Sequence, residues 1–531
     1  MRSHWKKWIA CAVCIVLIGV CAAVFAEETK TEKFTSGDYI FTLNEDGTAT
    51  ITMYWGDTSD LEIPPVLDRH AVTAIGNGAF SSRRNMTSVT IPDGITFIGD
   101  RAFSYCSSLT SVTIPDSVTD IGSNPFKYCD ALTSIIVSPD HPKLAVIDGV
   151  LFSKPDKRLI CVPYGLNITS YAVPQGIQII EDWAFSFCTS LTNVAFPDSV
   201  TSIGEGAFYQ CSSLTSVTIP DSVTSIGDRA FSDCSSLTSV SIPDSVTSIG
   251  DSAFSDCSSL TSVDIPDSVS FIGSNPFSGC DALSDIIVSP DHPSLAVIDG
   301  ALFSQPDKRL ICVPNGLEKT SFTVPEGIQI IGNHAFYGCS SLTSVDLPDT
   351  LTSIGEEAFY DCSSLTSISI PDGVTSIGED TFCQCSSLTS IAIPDSVTSI
   401  VDYAFNFCSS LTSVTIPDSV TSIGVYAFNF CSSLTSVTIP DSVTAIGNNA
   451  FTSCSSLTSI TIPDNVSSIG HQAFSDCSSL TSITIPDSVT SIGASAFAGC
   501  SNLTLTVPRG SYAAQYCMDN NLPYVYPDAL D

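Results

Sequence analysis

The sequence predicts a β-rich repeat solenoid with a 23-residue period, short helical or 3-10 turns, and a cap at each end. Three observations carry that reading. A Phe, usually preceded by Ala, recurs in steps of 23 at Phe80, Phe103 and Phe126, then from Phe185 to Phe277, then from Phe336 to Phe497. The intervals Phe126 to Phe185 and Phe277 to Phe336 are both 59 residues, and the two long segments are copies offset by 151. Only 14% of the 531 residues are charged while 43% are hydrophobic, so core-forming side chains are plentiful where charge is scarce. A unit this short cannot bury its own apolar face and needs a neighbour stacked on each side.

The amino terminus reads as an export signal. Arg2, Lys6 and Lys7 precede an uncharged stretch from Trp8 to Ala26, which then meets Glu27 and Glu28. Cleavage after Ala26 is expected, making residues 1–26 a signal peptide; an uncleaved anchor and lipidation at Cys21 are the alternatives. Residues 27–75 are expected to form an N-terminal β-hairpin cap, because Tyr39 to Leu43 and Thr48 to Met53 flank the turn sequence Asn44-Glu45-Asp46-Gly47.

The solenoid spans residues 76–505. Within the unit Leu214 to Ser236, Val217 and Ile219 are two apart and share one strand face, with Ser216 and Thr218 on the other. Pro220 ends that strand and Asp221-Ser222 turns the chain. Val223 and Ile226 point inward, Gly227 is expected at a positive φ, and Phe231 and Cys234 share one side of a short helical turn. With the long variant segments near 130–184 and 281–335 counted as one coil each, about 18 coils stacked at about 4.8 Å would extend about 85 Å. Residues 506–531 are expected to be a C-terminal cap, with Tyr512, Ala513 and Tyr516 at helical spacing before Tyr524-Val525-Tyr526.

Charge excludes several partners. Lys plus Arg number 19 and Asp plus Glu 55, for a net charge of −36; such a surface repels nucleic acid and anionic lipid. After the first 26 residues no apolar run is long enough to span a bilayer. Residues 320–508 contain no Lys or Arg. Local basic patches gather Lys154, Lys157 and Arg158 in one long segment and Lys308 and Arg309 in its copy, which an acidic or sulfated partner could use.

The run Cys-x-x-Leu-x-x-Val-x-Ile-Pro-x-x-Val-x-x-Ile-Gly-x-x-Ala-Phe, as in Cys211 to Phe231, resembles the BspA-like leucine-rich repeat family over nearly the whole chain after the signal. The resemblance implies a secreted or cell-surface protein of bacteria or protozoa, with adhesion to extracellular or cell-surface proteins as its role. It names no ligand. Ser222 stands where the general leucine-rich consensus carries Asn, which argues against an Asn-ladder horseshoe.

Little in the sequence points to chemistry. No nucleophile elbow, P-loop or paired-carboxylate motif appears, and near-identical coils single out no catalytic site, so no enzyme and no catalytic residue is expected. The repeated Cys reads as a ladder of buried free thiols, and Cys383-Gln-Cys385 without a second pair is weak for zinc, so no metal site is expected. The Pro-Asp turn recurs thirteen times, as at Asp116, Asp221, Asp244, Asp418, Asp441 and Asp487. Each Asp is expected to accept backbone N–H bonds in an Asx-turn, with calcium along the column as the alternative. His141 and His292 are copies in loops and lack metal-ligating neighbours. The outward Ser and Thr of each strand form an array that could match ice or polysaccharide, a remote alternative to a solvated sheet. Tyr403, Phe407, Tyr426 and Phe430 stand where neighbouring coils carry Asp, Ser, Asn or Gly, and form the candidate partner-binding cluster. The sequence therefore predicts a non-catalytic binding protein, an adhesin for an extracellular protein or glycan. The second reading is a structural or self-associating surface coat.

Overall fold

A computed structural model describes residues 32–527, which fall into two compact units divided between Ala145 and Val146. Both are wound as β-solenoids on the 23-residue period, with about 21 turns in all and little helix.

In the first unit the strands Lys33–Ser36, Tyr39–Leu43 and Ala49–Tyr54 form an antiparallel meander. The last of them pairs in parallel with His70–Ile75, which is followed by Phe97–Ile98 and Asp120–Ile121. The hairpin thus passes directly into a solenoid turn, with Tyr54 donating its N–H to Ala79 O at 2.8 Å as the repeat Phe residues do. At the far end of the chain, Thr504–Thr506 and Tyr524–Val525 continue the long-strand sheet. These terminal turns lack the repeat Phe, so a count by Phe stops at about 18 coils. Between the two strands lies the helix Tyr512–Asp519, capped by Ser511. Tyr516 is buried in it and donates its hydroxyl to Gly493 O, whereas Tyr512 is exposed.

The second unit shows what one repeat builds. Ser216–Thr218 pairs in register with Ser239–Ser241, and Ser225–Ile226 with Ser248–Ile249, both in parallel. Val217 and Ile226 face the core, and Ser216 and Thr218 face solvent. The Phe column stacks from Phe185 to Phe277 and again from Phe336 to Phe497: Phe208 to Phe231 is 5.1 Å and Phe231 to Phe254 is 5.4 Å between ring centroids, each at 3°. Repeat hydroxyls tie coil to coil. Thr247 Oγ1 donates to Thr224 O at 3.2 Å, and Ser245 Oγ to Val223 O at 2.7 Å. The Ser that stands where an Asn ladder would run therefore forms a hydroxyl ladder of its own.

Three expectations need correction. Gly227 has no positive φ; it is glycine because a Cβ there would come within 2.6 Å of Gly204 C and 2.7 Å of Glu205 N in the preceding coil. Positive φ falls instead on Arg229 and Asp233, which flank Phe231. These left-handed residues break the segment into successive turns, such as Cys234 N–H to Phe231 O, where a short helix was expected. They also let alternate N–H groups reach the next coil, with Phe231 donating to Ala253 O at 2.7 Å and Asp233 to Ser255 O at 2.8 Å. Finally, the Pro-Asp carboxylates of Asp116, Asp221, Asp244, Asp418, Asp441 and Asp487 are exposed and accept no hydrogen bond among the described residues. The bridging acceptor is the residue after the repeat Gly position: Asp228 Oδ1 takes the N–H of Asp251 at 2.8 Å, and Asp402 Oδ1, after Val401 at that position, takes the N–H of Val425 at 2.7 Å.

The long segment from Phe277 to Phe336 holds two coils, with Val313 at the Phe position of the first, which has a β-hairpin inserted between its two strands; Ser321–Thr323 and Ile330–Ile331 are the strands of the second. Asp285–Val288 continues the long-strand sheet. Leu295–Ile298 and Ala301–Ser304 then form the antiparallel hairpin, and Arg309–Cys312 pairs in parallel with Ile330–Ile331. His292 is buried at its base: Nε2 donates to Pro266 O at 3.2 Å and Nδ1 accepts from the N–H groups of Ser294 and Leu295. It is a staple for the insertion.

All nineteen cysteines among the described residues are free, and all but Cys500 are fully buried. Most repeat thiols donate to the carbonyl of the Phe 26 residues earlier, as Cys234 Sγ does to Phe208 O at 3.2 Å, while Cys339 donates to Val313 O. Burial raises most of these thiols well out of the reactive range, Cys188 and Cys454 to about 12. Cys500 is lowered by its hydrogen bond with Cys477. Iodoacetamide at pH 8 is therefore expected to modify Cys500 first and leave the repeat column unlabelled until urea is added; rapid labelling of the whole column in the native protein would contradict this packing.

Candidate binding surface

The coils differ from one another chiefly at the two left-handed positions, two residues before and two after the repeat Phe. Tyr403 and Phe407 occupy them in one coil, with φ of 56° and 58°, and Tyr426 and Phe430 in the next, both at 56°. A left-handed conformation costs a residue with a Cβ about 1–2 kcal/mol, and most other coils fill these positions with Gly, Asp, Asn, Ser or Gln. The conformation is held because Tyr403, Phe407, Tyr426 and Phe430 all donate their N–H groups to the following coil, at 2.8 to 2.9 Å.

The four predicted residues do come together. Phe407 and Phe430 stack at 4.7 Å and 6°, each 43% exposed. Tyr403 and Tyr426, half-buried, stack at 5.0 Å and 12°. Between these ladders in sequence lie buried Asn406 and Asn429, joined by a 2.9 Å amide hydrogen bond, with Asn406 also donating to Cys383 Sγ. An open cavity of about 380 Å³ adjoins the cluster, lined by Asp361, Gln384, Ser386, Phe407 and Ser409.

Sequence reading missed the continuation of this face. Tyr337 and Tyr360, one residue after their repeat Phe, stack at 5.0 Å and 5°, and Gln384 Nε2 donates to the Tyr360 hydroxyl. In the first unit Tyr105 and Tyr128 occupy the same left-handed column and stack at 4.4 Å. Within each pair the 23-residue spacing was the signal available in the sequence.

Carboxylates surround the tyrosines. Burial, then Asp256, Tyr360, Glu357 and Asp361, push Tyr337 up to about 12. Burial also raises Asp256, Asp361 and Asp380; Asp281 adds to the second, and Glu357, Glu379 and Asp402 to the third. A carboxyl whose folded pKa is raised stabilises the fold fully below its unfolded pKa, about 4, and that contribution is lost as pH climbs through the raised value. Asp380→Asn is accordingly expected to raise the melting temperature at pH 7 and to leave it unchanged at pH 3.5; equal effects at both would contradict the assignment.

The basic patches are placed differently. Arg158 is mostly buried and bonded to Glu181 at 3.0 Å and Asp156 at 3.3 Å. Burial, which opposes its charge, is outweighed by those two carboxylates, and its pKa is raised. Arg309 Nη2 donates to Ile272 O at 3.1 Å. It bridges to the short-strand sheet ending at Phe271–Ile272, with which its own strand is not paired. Both arginines are thus committed to the scaffold, while Lys154, Lys157 and Lys308 are exposed on the tight turns before them. Among the described residues no three His, Cys, Asp or Glu side chains gather as a metal site, and no helix is long and apolar enough to cross a membrane.

The model of the BspA type leucine-rich repeat region matches residues 64–156, 162–292, 315–435 and 398–520. The chain belongs to the BspA-type leucine-rich repeat family. Among solved structures this BspA-type protein is similar to a leucine-rich cell surface protein from Faecalibacterium prausnitzii, at 32% identity over 82% of this chain and 95% of that one, TM-score 0.45. A leucine-rich repeat protein from Eubacterium ventriosum shares 20% identity over 82% and 91% of the two chains, TM-score 0.40. One from Bacteroides ovatus shares 25% over 93% and 99%, TM-score 0.33. Among curated proteins none matches the chain.

Proposed function

We propose that this BspA-type protein is an exported, non-catalytic adhesin that recognises an extracellular or cell-surface protein or glycan through the turn face of its solenoid. The observation that carries the reading is the pair of stacked aromatic ladders at 403, 407, 426 and 430. Hydrophobic rings held at exposed left-handed positions cost the fold energy and return little packing, and such departures cluster at binding sites. Family membership and the similarity to a cell surface protein support export, with residues 1–26 as the signal. Catalysis finds no support, because the hydroxyls of Ser386 and Ser409 beside the aromatics donate to backbone carbonyls and not to a base.

The chain lacking residues 1–26, presented to immobilised matrix proteins and glycans, is expected to bind saturably to one of them. Concentration-dependent self-assembly without any such binding would favour the surface-coat reading instead. The Ser and Thr array of the long strands, as at Ser436–Thr438 and Ser459–Thr461, is exposed and regular. It offers polysaccharide a second surface that aromatic substitutions would leave intact.

A further inference from the structure

We infer that the groove beside Phe407 binds an arginine- or lysine-rich segment of a protein partner, a deduction that rests on the adhesin reading and specifies the partner's chemistry. The groove has one aromatic wall and a polar floor. Phe407 supplies the wall, continued by the parallel ring of Phe430, and Asp361, Gln384, Ser386 and Ser409 line the rest. Gln384 donates one of its two amide N–H groups to Tyr360, and the hydroxyls of Ser386 and Ser409 donate to Ser363 O and Ser386 O. Apart from the second N–H of Gln384, what these groups retain toward a ligand is acceptor capacity, which favours a ligand that brings donors.

Charge selects among donor-bearing ligands. Within residues 320–508 there is no Lys or Arg, and Glu357, Asp361, Glu379, Asp380 and Asp402 act on the tyrosines of this face. Where this chain does have a cation near an aromatic ring, it places it over the face: Lys127 over Tyr128 at 4.8 Å, Lys319 over Phe322 at 5.5 Å, Arg509 over Tyr526 at 4.1 Å. Among the described residues no Lys or Arg covers Tyr403, Phe407, Tyr426 or Phe430. A guanidinium or ammonium from a partner would take that place, attracted by the ring faces and paired with Asp361. An anionic glycan would be repelled, and a neutral one would gain nothing from the carboxylates.

The test is an anisotropy titration of fluorescein-labelled nona-arginine with the chain lacking residues 1–26, against a peptide in which citrulline replaces every arginine. Nona-arginine is expected to bind with a Kd at least tenfold tighter than the citrulline peptide. Phe407→Ser with Phe430→Ser is expected to weaken it at least tenfold, while Asp441→Asn with Asp464→Asn, removing two carboxylates outside the aromatic coils, changes it less than twofold. Ser is the residue the next coil carries at this position, Ser453, so the paired variant keeps a tolerated backbone. Equal binding by wild type and F407S/F430S, or no preference for arginine over citrulline, would overturn the inference. Measuring matrix binding in parallel separates the two ideas. If F407S/F430S loses matrix binding while nona-arginine neither binds nor competes, the cationic partner is rejected and the adhesin reading stands. If wild type binds neither, both fall.

Discussion

Phe231→Ala is expected to destabilise the second unit by about 3–5 kcal/mol, the cost of emptying a buried aromatic site whose surroundings cannot collapse. Phe231 has no exposed surface and lies between two parallel rings. The walls are equally fixed: Ala230 and Cys234 are fully buried, and the Phe231 N–H is bonded to Ala253 O. Part of the loss is specific to aromatic pairing, about 0.5–1.5 kcal/mol for each ring pair beyond area burial. Because coils of a solenoid touch only their neighbours, the loss should be local. Hydrogen exchange is expected to accelerate in the coils around Phe208, Phe231 and Phe254 and to stay unchanged around Phe451 and Phe474. A urea midpoint equal to wild type would contradict this account of the core.

Gly227→Ala is expected to cost about 2–3 kcal/mol or more, although it adds a single methyl group, because the atoms it meets are main-chain atoms of the previous coil. Relief requires lengthening the 2.9 Å bond from Gly227 N–H to Ile203 O, and with it the pairing of Ser225–Ile226 to Ser202–Ile203. Gly176 provides the contrast. It has a φ of 88° and nothing within 4 Å of an added Cβ, so Ala there should cost only its unfavourable backbone, about 1 kcal/mol. Thermal melts of the two variants side by side check the distinction between crowding and backbone conformation. A milder effect at Gly227 than at Gly176 would contradict it.

The core was legible because its side chains repeat where a reader expects them. Val217, Ile219, Val223, Ile226, Phe231, Cys234 and Leu237 are all buried, and a two-residue then three-residue spacing gives their direction without any coordinates. What the repeat hides is contact between coils. The glycine after Ile226 carries no sign in sequence of whether its φ or its neighbour demands it. The Pro-Asp carboxylate and the carboxylate of Asp228 look alike until one is seen reaching the N–H of the next coil. The inserted hairpin was opaque for a similar reason, since Leu302, Phe303, Leu310 and Ile311 are buried in unbroken runs that lose the alternation by which strands are recognised.

The candidate site was half legible. Tyr403, Phe407, Tyr426 and Phe430 stood out as large rings between neighbouring coils that carry small or polar residues there, and the structure brings them together. Tyr337 and Tyr360 lie one position earlier in the turn than Phe407 and Phe430 do in theirs. Their nearness to that face depends on the left-handed residues around them, which sequence spacing alone does not reveal.

The central claim is that scaffold and recognition are separable: coils supply the stack, and a few left-handed turn residues supply the partner site. Its most direct test converts the aromatic coils to the pattern of the next coil, where Asn449 and Ser453 occupy the same positions at φ of 56° and 60°. The quadruple variant Tyr403→Asn, Phe407→Ser, Tyr426→Asn, Phe430→Ser would be compared with wild type for partner binding and thermal melting in one preparation. The account predicts an equal or higher melting temperature with binding lost; undiminished binding, or collapse of the fold, would contradict it.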